Sequence, residues 1–452
     1  MRELLQTQSA WFRSGATREI DNRVDALKRL RAALERHESE LLRALGADLG
    51  KTPEESYLTE LGPVYTEIRC MLHSMRRWSR TSVRPLLGPL SFARSLLSRD
   101  PYGVVLVVAG WTRPLLLCLI PLVDAIAAGN CVTVCPSLRV PRTARAIDIV
   151  LRESFRSDHA AITQGGRDAF AELVSYSFDK VFFSGTPEDG RRILRAAAET
   201  LTPVTLELDG KNPAVVMADA DIRLAARRIV YAKMLNAGQT CDAPDYVLAA
   251  KSVETQLLSA LRAEIVEQFG RRPLESRDLP RVASEDHFER LTGLLQGQNV
   301  FCGGGWNASA LKLEPTIVSR PKMDSPLMAE PIYGPILSVL PYGAMQEAVQ
   351  MMRTLPAPYA LYCFTTDIRA GRRLMRDLPF GVGCLNDCGM QALSPALPSG
   401  GVGESGMGSY RGREGFLCFS RPKGIYLASN LDAELRYAPR RGNLSALRRA
   451  LR

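Results

Sequence analysis

The chain has 452 residues, of which 46% are hydrophobic and 23% charged, and 58 Lys and Arg against 48 Asp and Glu give a formal net charge of +10. These proportions exclude a mostly disordered chain, a collagen-like repeat and a small domain held together by disulfides. The length allows two or three domains. The positive charge is spread along the chain, which argues against a dedicated nucleic-acid surface.

The ten cysteines and four histidines form no CxxC pair and no cluster with zinc spacing. We therefore expect no metal site, and reduced thiols in a cytoplasmic protein. The N-terminus lacks the apolar core of a secretion signal. The most apolar stretch, residues 115–134, is interrupted by Pro, Asp, Gly and Asn, so it predicts a buried segment and no stable membrane anchor.

Taken in chain order, the hydrophobic pattern first predicts helices over residues 1–80. One of them carries an apolar stripe at three- and four-residue spacing, formed by Ile20, Val24, Leu27, Leu30 and Leu34. Strands and helices then alternate. The predicted strands are 103–109, 130–135, 180–183 and 204–208, and the predicted helices are 115–128, 141–155 and 190–200. This alternation is typical of a doubly wound α/β domain, and a second α/β stretch follows over 210–390.

Two segments suggest chemistry. FFSGTPEDG places Gly185, Thr186 and Gly190 at a strand-to-helix turn, where small residues let backbone N–H groups approach a phosphate. Many turns that bind nothing look the same. TPVTLELDGKNP then puts Glu207 at a strand end, and NAGQTC places Cys241 after a turn that contains Gly and Thr.

With these segments, the chain resembles the aldehyde dehydrogenase superfamily, and its class 3 branch most closely. The matching segments occur in family order from about residue 5 to 430: PYGVVLVVAGW, PLVDAIAAGNCV, FFSGT, LTPVTLELDGKNP, NAGQTCDAPDYVL, PIYGPIL and GGVGESGMGSYRG. The resemblance implies a Rossmann-type cofactor domain, an α/β catalytic domain and a small β bridging element that pairs subunits into a homodimer, and the residues of the C-terminal segment themselves predict a basic tail. Their predicted ranges are 1–79 with 101–209, then 210–388, then 80–100 with 389–430, and last 431–452.

The same resemblance implies that Cys241 is the nucleophile and Glu207 the general base. A thiolate attacks an aldehyde well, and a carboxylate can deprotonate the water that releases the acyl group. The alternative for Cys241 is a small buried hydrophobic residue.

Departures from the family pattern surround these two residues. In GWTRP, Trp111 is retained, but Thr112 stands where the family has an asparagine that binds the oxyanion. Losing one such donor typically costs about 3–4 kcal/mol. ELDGK has Asp209 in place of a glycine. If the strand continues, Asp209 lies on the same face as Glu207, where like-charge repulsion would raise one pKa and either tune a base or block the nicotinamide. Asp242 would disfavour the Cys241 thiolate if it turned inward.

Other departures fall on the expected cofactor contacts. Cys135 and Leu138 replace the Lys and Glu that contact the adenosine ribose, and Pro331 replaces the Glu that contacts the nicotinamide ribose. Tyr333 and Trp111 remain candidate contacts. Three missing contacts predict a degraded NAD site, with a combined loss of several kcal/mol.

Arginines near the lost ribose contacts offer a replacement. Arg139 and Arg142 suit the 2′-phosphate of NADP or the 3′-phosphate of coenzyme A. The alternative is a solvated basic helix face. We therefore expect either no cofactor or an altered one, with NAD, NADP and coenzyme A open.

Three interpretations of function remain. The first is a cysteine enzyme that has left ordinary NAD-dependent turnover and acts on an aldehyde or acyl thioester, free or carrier-bound, by acyl transfer, hydrolysis or condensation. The second is NAD(P)-dependent oxidation of an aldehyde with a remodelled cofactor site. The third is a non-catalytic scaffold. The retained Cys241 and Glu207 favour the first, the retained turn at Gly185 the second, and the changes at Thr112 and Asp209 the third.

Overall fold

The structure is a computed structural model that describes residues 1–84, 93–163, 173–430, 437–438 and 444–451. Its α-helices are α1 (Arg2–Arg13), α2 (Ile20–Arg36), α3 (Glu38–Leu49), α4 (Pro53–Ser56), α5 (Gly62–Trp78), α6 (Pro114–Ala128), α7 (Pro141–Ser154), α8 (Pro187–Ala198), α9 (Ile222–Met234), α10 (Glu254–Phe269), α11 (Glu285–Leu294), α12 (Pro326–Ala329), α13 (Met345–Arg353), α14 (Ile368–Asp377), α15 (Gly412–Cys418) and α16 (Leu444–Leu451).

The strands are β1 (Ser82–Arg84), β2 (Ala93–Pro101), β3 (Val104–Val108), β4 (Cys131–Cys135), β5 (Ala160–Ile162), β6 (Lys180–Gly185), β7 (Val204–Leu208), β8 (Pro213–Val216), β9 (Tyr246–Ala250), β10 (Val300–Cys302), β11 (Trp306–Asn307), β12 (Lys312–Leu313), β13 (Thr316–Ser319), β14 (Ile336–Tyr342), β15 (Ala360–Phe364), β16 (Val382–Leu385), β17 (Gly406–Met407) and β18 (Ser420–Ala428).

The first α/β layer is a six-stranded sheet in the order β17-β7-β6-β3-β4-β5, parallel except for β17. Every residue of β3 and β4 is buried, because helices cover both faces of the sheet. Helices α2, α6 and α7 pack on one face, and α1 and α8 on the other. The predicted doubly wound arrangement is confirmed.

The boundaries of α8 differ from the prediction by three residues at its start. The sequence predicts a helix from residue 190, whereas α8 begins at Pro187. Thr186 is the N-cap, and its side-chain oxygen accepts a hydrogen bond from the backbone N–H of Asp189 at 3.2 Å. Proline has no backbone N–H, and at the first helical position an N–H would have no partner within the helix. Proline is therefore favoured there, and Pro187 is the first residue of α8.

A seven-stranded sheet forms the second layer, in the order β10-β13-β14-β9-β8-β15-β16, with only β10 antiparallel to its neighbour. A third sheet joins β1, β2 and β18 in antiparallel order. The division into domains stays a prediction. β17 lies in the range assigned to the bridging element but pairs with β7, and residues 85–92 of that element fall outside the described ranges.

The apolar stretch 115–134 forms most of α6 and β4, whose residues are all buried. Within the described ranges no helix has both the length and the apolar character needed to cross a membrane. In the predicted tail, residues 431–452, the structure describes residues 437–438 and the helix α16.

Candidate active site

A strained turn positions Cys241. Asn236 and Ala237, in the turn after α9, have positive φ values of 50° and 52°. The Asn236 side-chain amide donates to the carbonyl oxygens of Thr112 at 2.8 Å and Gln239 at 3.1 Å. These hydrogen bonds fasten the turn to the segment that precedes α6 and hold it in a conformation that costs about 1–3 kcal/mol per residue when unsupported.

Glu207 lies opposite the cysteine, near the end of β7. The Cys241 Sγ is 3.4 Å from the Glu207 Oε1, and Glu207 is only 3% exposed. Burial raises the pKa of Glu207, and contacts with Tyr410 and Cys241 oppose that rise. Burial raises the pKa of the Cys241 thiol well above its ordinary value, and the charges of Glu207 and Asp242 add to the effect. The two side chains are therefore in contact, and a thiol beside a buried carboxylate is an arrangement that suits a nucleophile and a base.

One cavity beside this pair has a volume of about 260 Å³. Its lining comprises Gly110, Trp111, Thr112, Arg139, Ser184, Gly185, Thr186, Glu207, Leu208, Asp209, Cys241, His287, Arg290, Glu330, Pro331 and Tyr333. The predicted turn is therefore present at the cavity through Gly185 and Thr186. Gly190 lies inside α8, where a Cβ would be 2.9 Å from a Leu208 methyl carbon, so it allows close packing of helix on strand.

Two arginines line this cavity. The Arg139 guanidinium lies 5.7 Å from the centroid of the Trp111 ring, within range of a cation–π interaction. Arg290 on α11 is 3.3 Å from the Glu330 carboxylate. Arg142 is exposed and does not line the cavity.

The sequence reasoning missed His287 and Arg290, because α11 belongs to no motif. His287 packs edge-on against Trp111 at 5.6 Å, and burial lowers the pKa of this histidine to about 4. The histidine is therefore neutral at pH 7. Of the lost ribose contacts, Pro331 lines the cavity, whereas Cys135 is fully buried and Leu138 is 56% exposed outside it.

Asp209 is held by the hydroxyl of Tyr333, which donates to its Oδ1. Burial raises the pKa of Asp209 to about 6, the Tyr333 hydrogen bond lowers it, and Asp245 and Asp189 raise it further. The sequence reasoning attributed a shift at this position to repulsion by Glu207. Burial is instead the largest cause.

A second, narrower cavity of about 20 Å³ lies against the same pair. Its lining comprises Thr112, Arg113, Leu116, Leu117, Glu207, Cys241, Asp242, Tyr359, Val382, Gln391, Ala392, Pro398, Ser399, Tyr410 and Arg411. Asp242 is buried there and forms an ion pair with Arg113 at 2.7 Å. The sequence reasoning considered Asp242 alone, because Arg113 lies 129 residues away in the chain.

The lining of the larger of these two cavities suits the phosphate and nicotinamide groups of a nicotinamide dinucleotide. The start of a 12-residue helix and two guanidinium groups suit a pyrophosphate, and the cavity reaches Cys241. Among the residues that the structure describes, no group of three or more His, Cys, Asp or Glu side chains is arranged to hold a metal ion.

Comparison with known proteins adds a family match, curated relatives and a solved structure to these observations. Residues 3–425 match the Aldehyde dehydrogenase family. The chain is similar to the 4,4'-diaponeurosporen-aldehyde dehydrogenase of Staphylococcus aureus, with 37% identity over 97% of this chain and 96% of that protein. It is also 34% identical to the dog enzyme "Aldehyde dehydrogenase, dimeric NADP-preferring", over 97% of both chains. A solved structure, "Substrate bound state of Staphylococcus Aureus AldH", superposes with a TM-score of 0.97 at 35% identity over 100% of this chain and 99% of that one.

These findings correct the cofactor prediction. We expected no cofactor or an altered one, such as coenzyme A. The relatives are named aldehyde dehydrogenases, and the name of one of them calls it NADP-preferring, so the comparisons point to NAD(P). Among the three interpretations, they favour aldehyde oxidation over acyl transfer, hydrolysis or condensation without redox chemistry.

Proposed function

Because the chain belongs to the aldehyde dehydrogenase family, we propose that it oxidises an aldehyde to the carboxylic acid with NAD or NADP as the oxidant. The observation on which the proposal depends is the position of the Cys241 thiol, 3.4 Å from the Glu207 carboxylate, with both residues lining both cavities. The larger of the two cavities suits the part of the dinucleotide that reaches Cys241, and the narrower one, of about 20 Å³, has room for the reacting carbonyl group of an aldehyde.

The reaction begins when the Cys241 sulfur, whose proton has been released to solvent water, adds to the aldehyde carbon and forms a C–S bond. The carbonyl oxygen becomes an oxyanion, and the hydroxyl of Thr112, which lines both cavities, would donate a hydrogen bond to it. When bound, the nicotinamide dinucleotide supplies the oxidant, because it accepts the hydride that leaves this carbon. The product on Cys241 is a thioester.

Glu207 completes the turnover. Its carboxylate takes a proton from water, the water oxygen bonds to the acyl carbon, and the C–S bond breaks to release the carboxylic acid. A base works only when ionised, so the raised pKa of Glu207 predicts that this step accelerates as pH rises.

The residues that would hold the dinucleotide lie around the larger cavity. The phosphates would be bound by the α8 N-terminus at Thr186 and by the guanidinium groups of Arg139 and Arg290. Trp111, which packs against Arg139, would line the cavity beside the dinucleotide. Tyr333 keeps Asp209 hydrogen-bonded, which lowers the cost of a carboxyl group inside this cavity.

We also propose a homodimer that forms through the sheet of β1, β2 and β18. Ile425, Tyr426 and Leu427 on β18 are 42%, 53% and 54% exposed, which is typical of a surface that a second subunit covers. The dog relative is named dimeric.

The test is a spectrophotometric assay of NADH and NADPH formation with a panel of aliphatic and aromatic aldehydes. We expect turnover that depends on both aldehyde and nucleotide, and the Cys241→Ala variant should abolish it without changing the melting temperature. A folded protein that binds NAD or NADP but forms no reduced nucleotide with any aldehyde would refute the proposal.

A further inference from the structure

Beside the nucleophile lies a buried ion pair that the mechanism above does not use. The Arg113 Nη2 is 2.7 Å from the Asp242 Oδ1, and the two side chains are only 8% and 4% exposed. Arg113 follows Thr112 directly, and Asp242 follows Cys241 directly. Both members of the pair line the narrower cavity together with Cys241 and Glu207.

The charges around the Cys241 sulfur come from several elements. Glu207 on β7 and Asp242 beside the cysteine disfavour the thiolate, whereas Arg113, just before α6, favours it. Among the described groups whose charges most strongly shift the pKa of this thiol, Arg113 is the one that carries a positive charge. Three phenol groups complete the surroundings that interact with Cys241: Tyr333, Tyr359 and Tyr410.

Arg113 retains an unused hydrogen-bond donor. Its Nη2 is committed to Asp242, but its buried Nε has no hydrogen-bond partner among the residues that the structure describes. Buried donors in folded proteins are nearly always paired, so an unpaired one that lines a reactive cavity calls for an explanation beyond packing.

We propose that Arg113, oriented by Asp242, is a positioning residue that holds a positive charge beside the Cys241 sulfur and favours its thiolate form. The inference rests on the proposed function only in taking Cys241 as the nucleophile. Asp242 has two opposing effects: it fixes the guanidinium in place, and its own charge disfavours the thiolate. The pair thereby sets the pH range in which Cys241 can attack.

The test measures the thiol itself and needs neither aldehyde nor nucleotide. The full-length protein is treated with iodoacetamide, from which the thiolate displaces iodide, at pH values from 6 to 11, because burial raises the pKa of this thiol well above its ordinary value. Mass spectrometry of the peptide that contains Cys241 gives the alkylation rate at each pH and separates it from the other cysteines.

The two charge-removing variants should move the midpoint of this pH profile in opposite directions. Arg113→Gln should raise it by about 1–2 pH units and slow alkylation at neutral pH by about 10–100-fold, because an opposite charge within a few ångströms shifts a pKa by that much. Asp242→Asn should lower the midpoint and speed alkylation. Arg113→Lys, which keeps the charge, should restore most of the rate.

Arg320→Gln is the matched control, because Arg320 also forms an ion pair with a buried carboxylate, that of Glu254, but lines neither cavity. We expect its profile to equal that of the wild type. An unchanged midpoint in Arg113→Gln would overturn the inference. If Arg113→Gln does not fold, Asp242→Asn decides. A midpoint that rises in Asp242→Asn would overturn the inference equally, since removing a negative charge while Arg113 stays beside the sulfur should favour the thiolate.

The two proposals fail separately. If the opposite shifts are observed but no aldehyde is oxidised, the proposed function falls and the role of Arg113 stands. If aldehyde oxidation is found and the midpoints do not move, only the role of Arg113 falls.

Discussion

Replacing Glu207 with glutamine should separate the two halves of the reaction. Glu207→Gln keeps the size of the side chain and its hydrogen-bonding capacity but removes the base. Two other carboxylates lie close in sequence to this pair, Asp209 near Glu207 and Asp242 next to Cys241. Neither can replace the base, because Asp242 forms an ion pair with Arg113 and Asp209 accepts a hydrogen bond from Tyr333. We therefore expect the steady-state rate to fall by about 10²–10⁴-fold, the usual contribution of a general base, which corresponds to about 3–5 kcal/mol.

The first turnover should survive this substitution, since Glu207 acts after the thioester has formed. Rapid mixing of Glu207→Gln with aldehyde and NAD or NADP should give a burst close to one reduced nucleotide per chain, and intact-mass measurement should find the acyl group on Cys241. The matched control is Glu404→Gln, whose side chain is 57% exposed and 3.6 Å from Arg191. A steady-state rate in Glu207→Gln equal to that of the wild type would refute the assignment of the base.

Three further predictions concern charge and stability. Lys51→Met should lower the free energy of unfolding in urea by about 3–5 kcal/mol, because it leaves the buried Glu60 carboxylate without the ammonium that lies 2.6 Å from it. The double variant Lys51→Met with Glu60→Gln should recover most of this loss. With a folded-state pKa of about 6, raised above the unfolded value, Asp209 favours folding below pH 4, and this contribution is lost as pH rises through 6. Relative to Asp209→Asn, the wild type should therefore lose about 2–3 kcal/mol between pH 4 and pH 7 in denaturant titrations, and an equal pH dependence would contradict the burial of this carboxyl. Thr112→Asn should raise kcat for aldehyde oxidation at least about tenfold by supplying a longer oxyanion donor, and an unchanged kcat would show that the threonine suffices.

The layered fold could be predicted from the sequence because it depends on local patterns. Strands covered on both faces need continuous apolar residues, and the valine-rich run of β3 shows this directly. The range predicted for β7 matches the structure residue for residue. The predicted start of α8 at Gly190 is wrong, because Thr186 and Pro187 form a stronger signal for the start of a helix than the glycine does.

The proposed catalytic pair of Glu207 and Cys241 depends on the family resemblance, since no local rule brings residues 207 and 241 together. The cofactor prediction failed for a related reason. It counted the contacts that are missing from known motifs, at Cys135, Leu138 and Pro331, and could not add the groups that lie outside any motif. Arg290 and His287, on α11, line the same cavity. Affinity depends on the sum over the whole cavity, and a comparison of motifs sees only part of it.

Two acidic departures that looked like decay when taken one at a time have partners in the structure. Asp209 accepts a hydrogen bond from Tyr333, and Asp242 is paired with Arg113. A buried carboxylate without a partner costs several kcal/mol, and beside Cys241 it would also oppose the thiolate. The partners reduce both costs and leave Glu207 and Cys241 in contact with each other. The scaffold interpretation drew much of its support from Asp209, and that support weakens because this carboxyl group accepts a hydrogen bond from Tyr333 while the Cys241 thiol and the Glu207 carboxylate remain in contact.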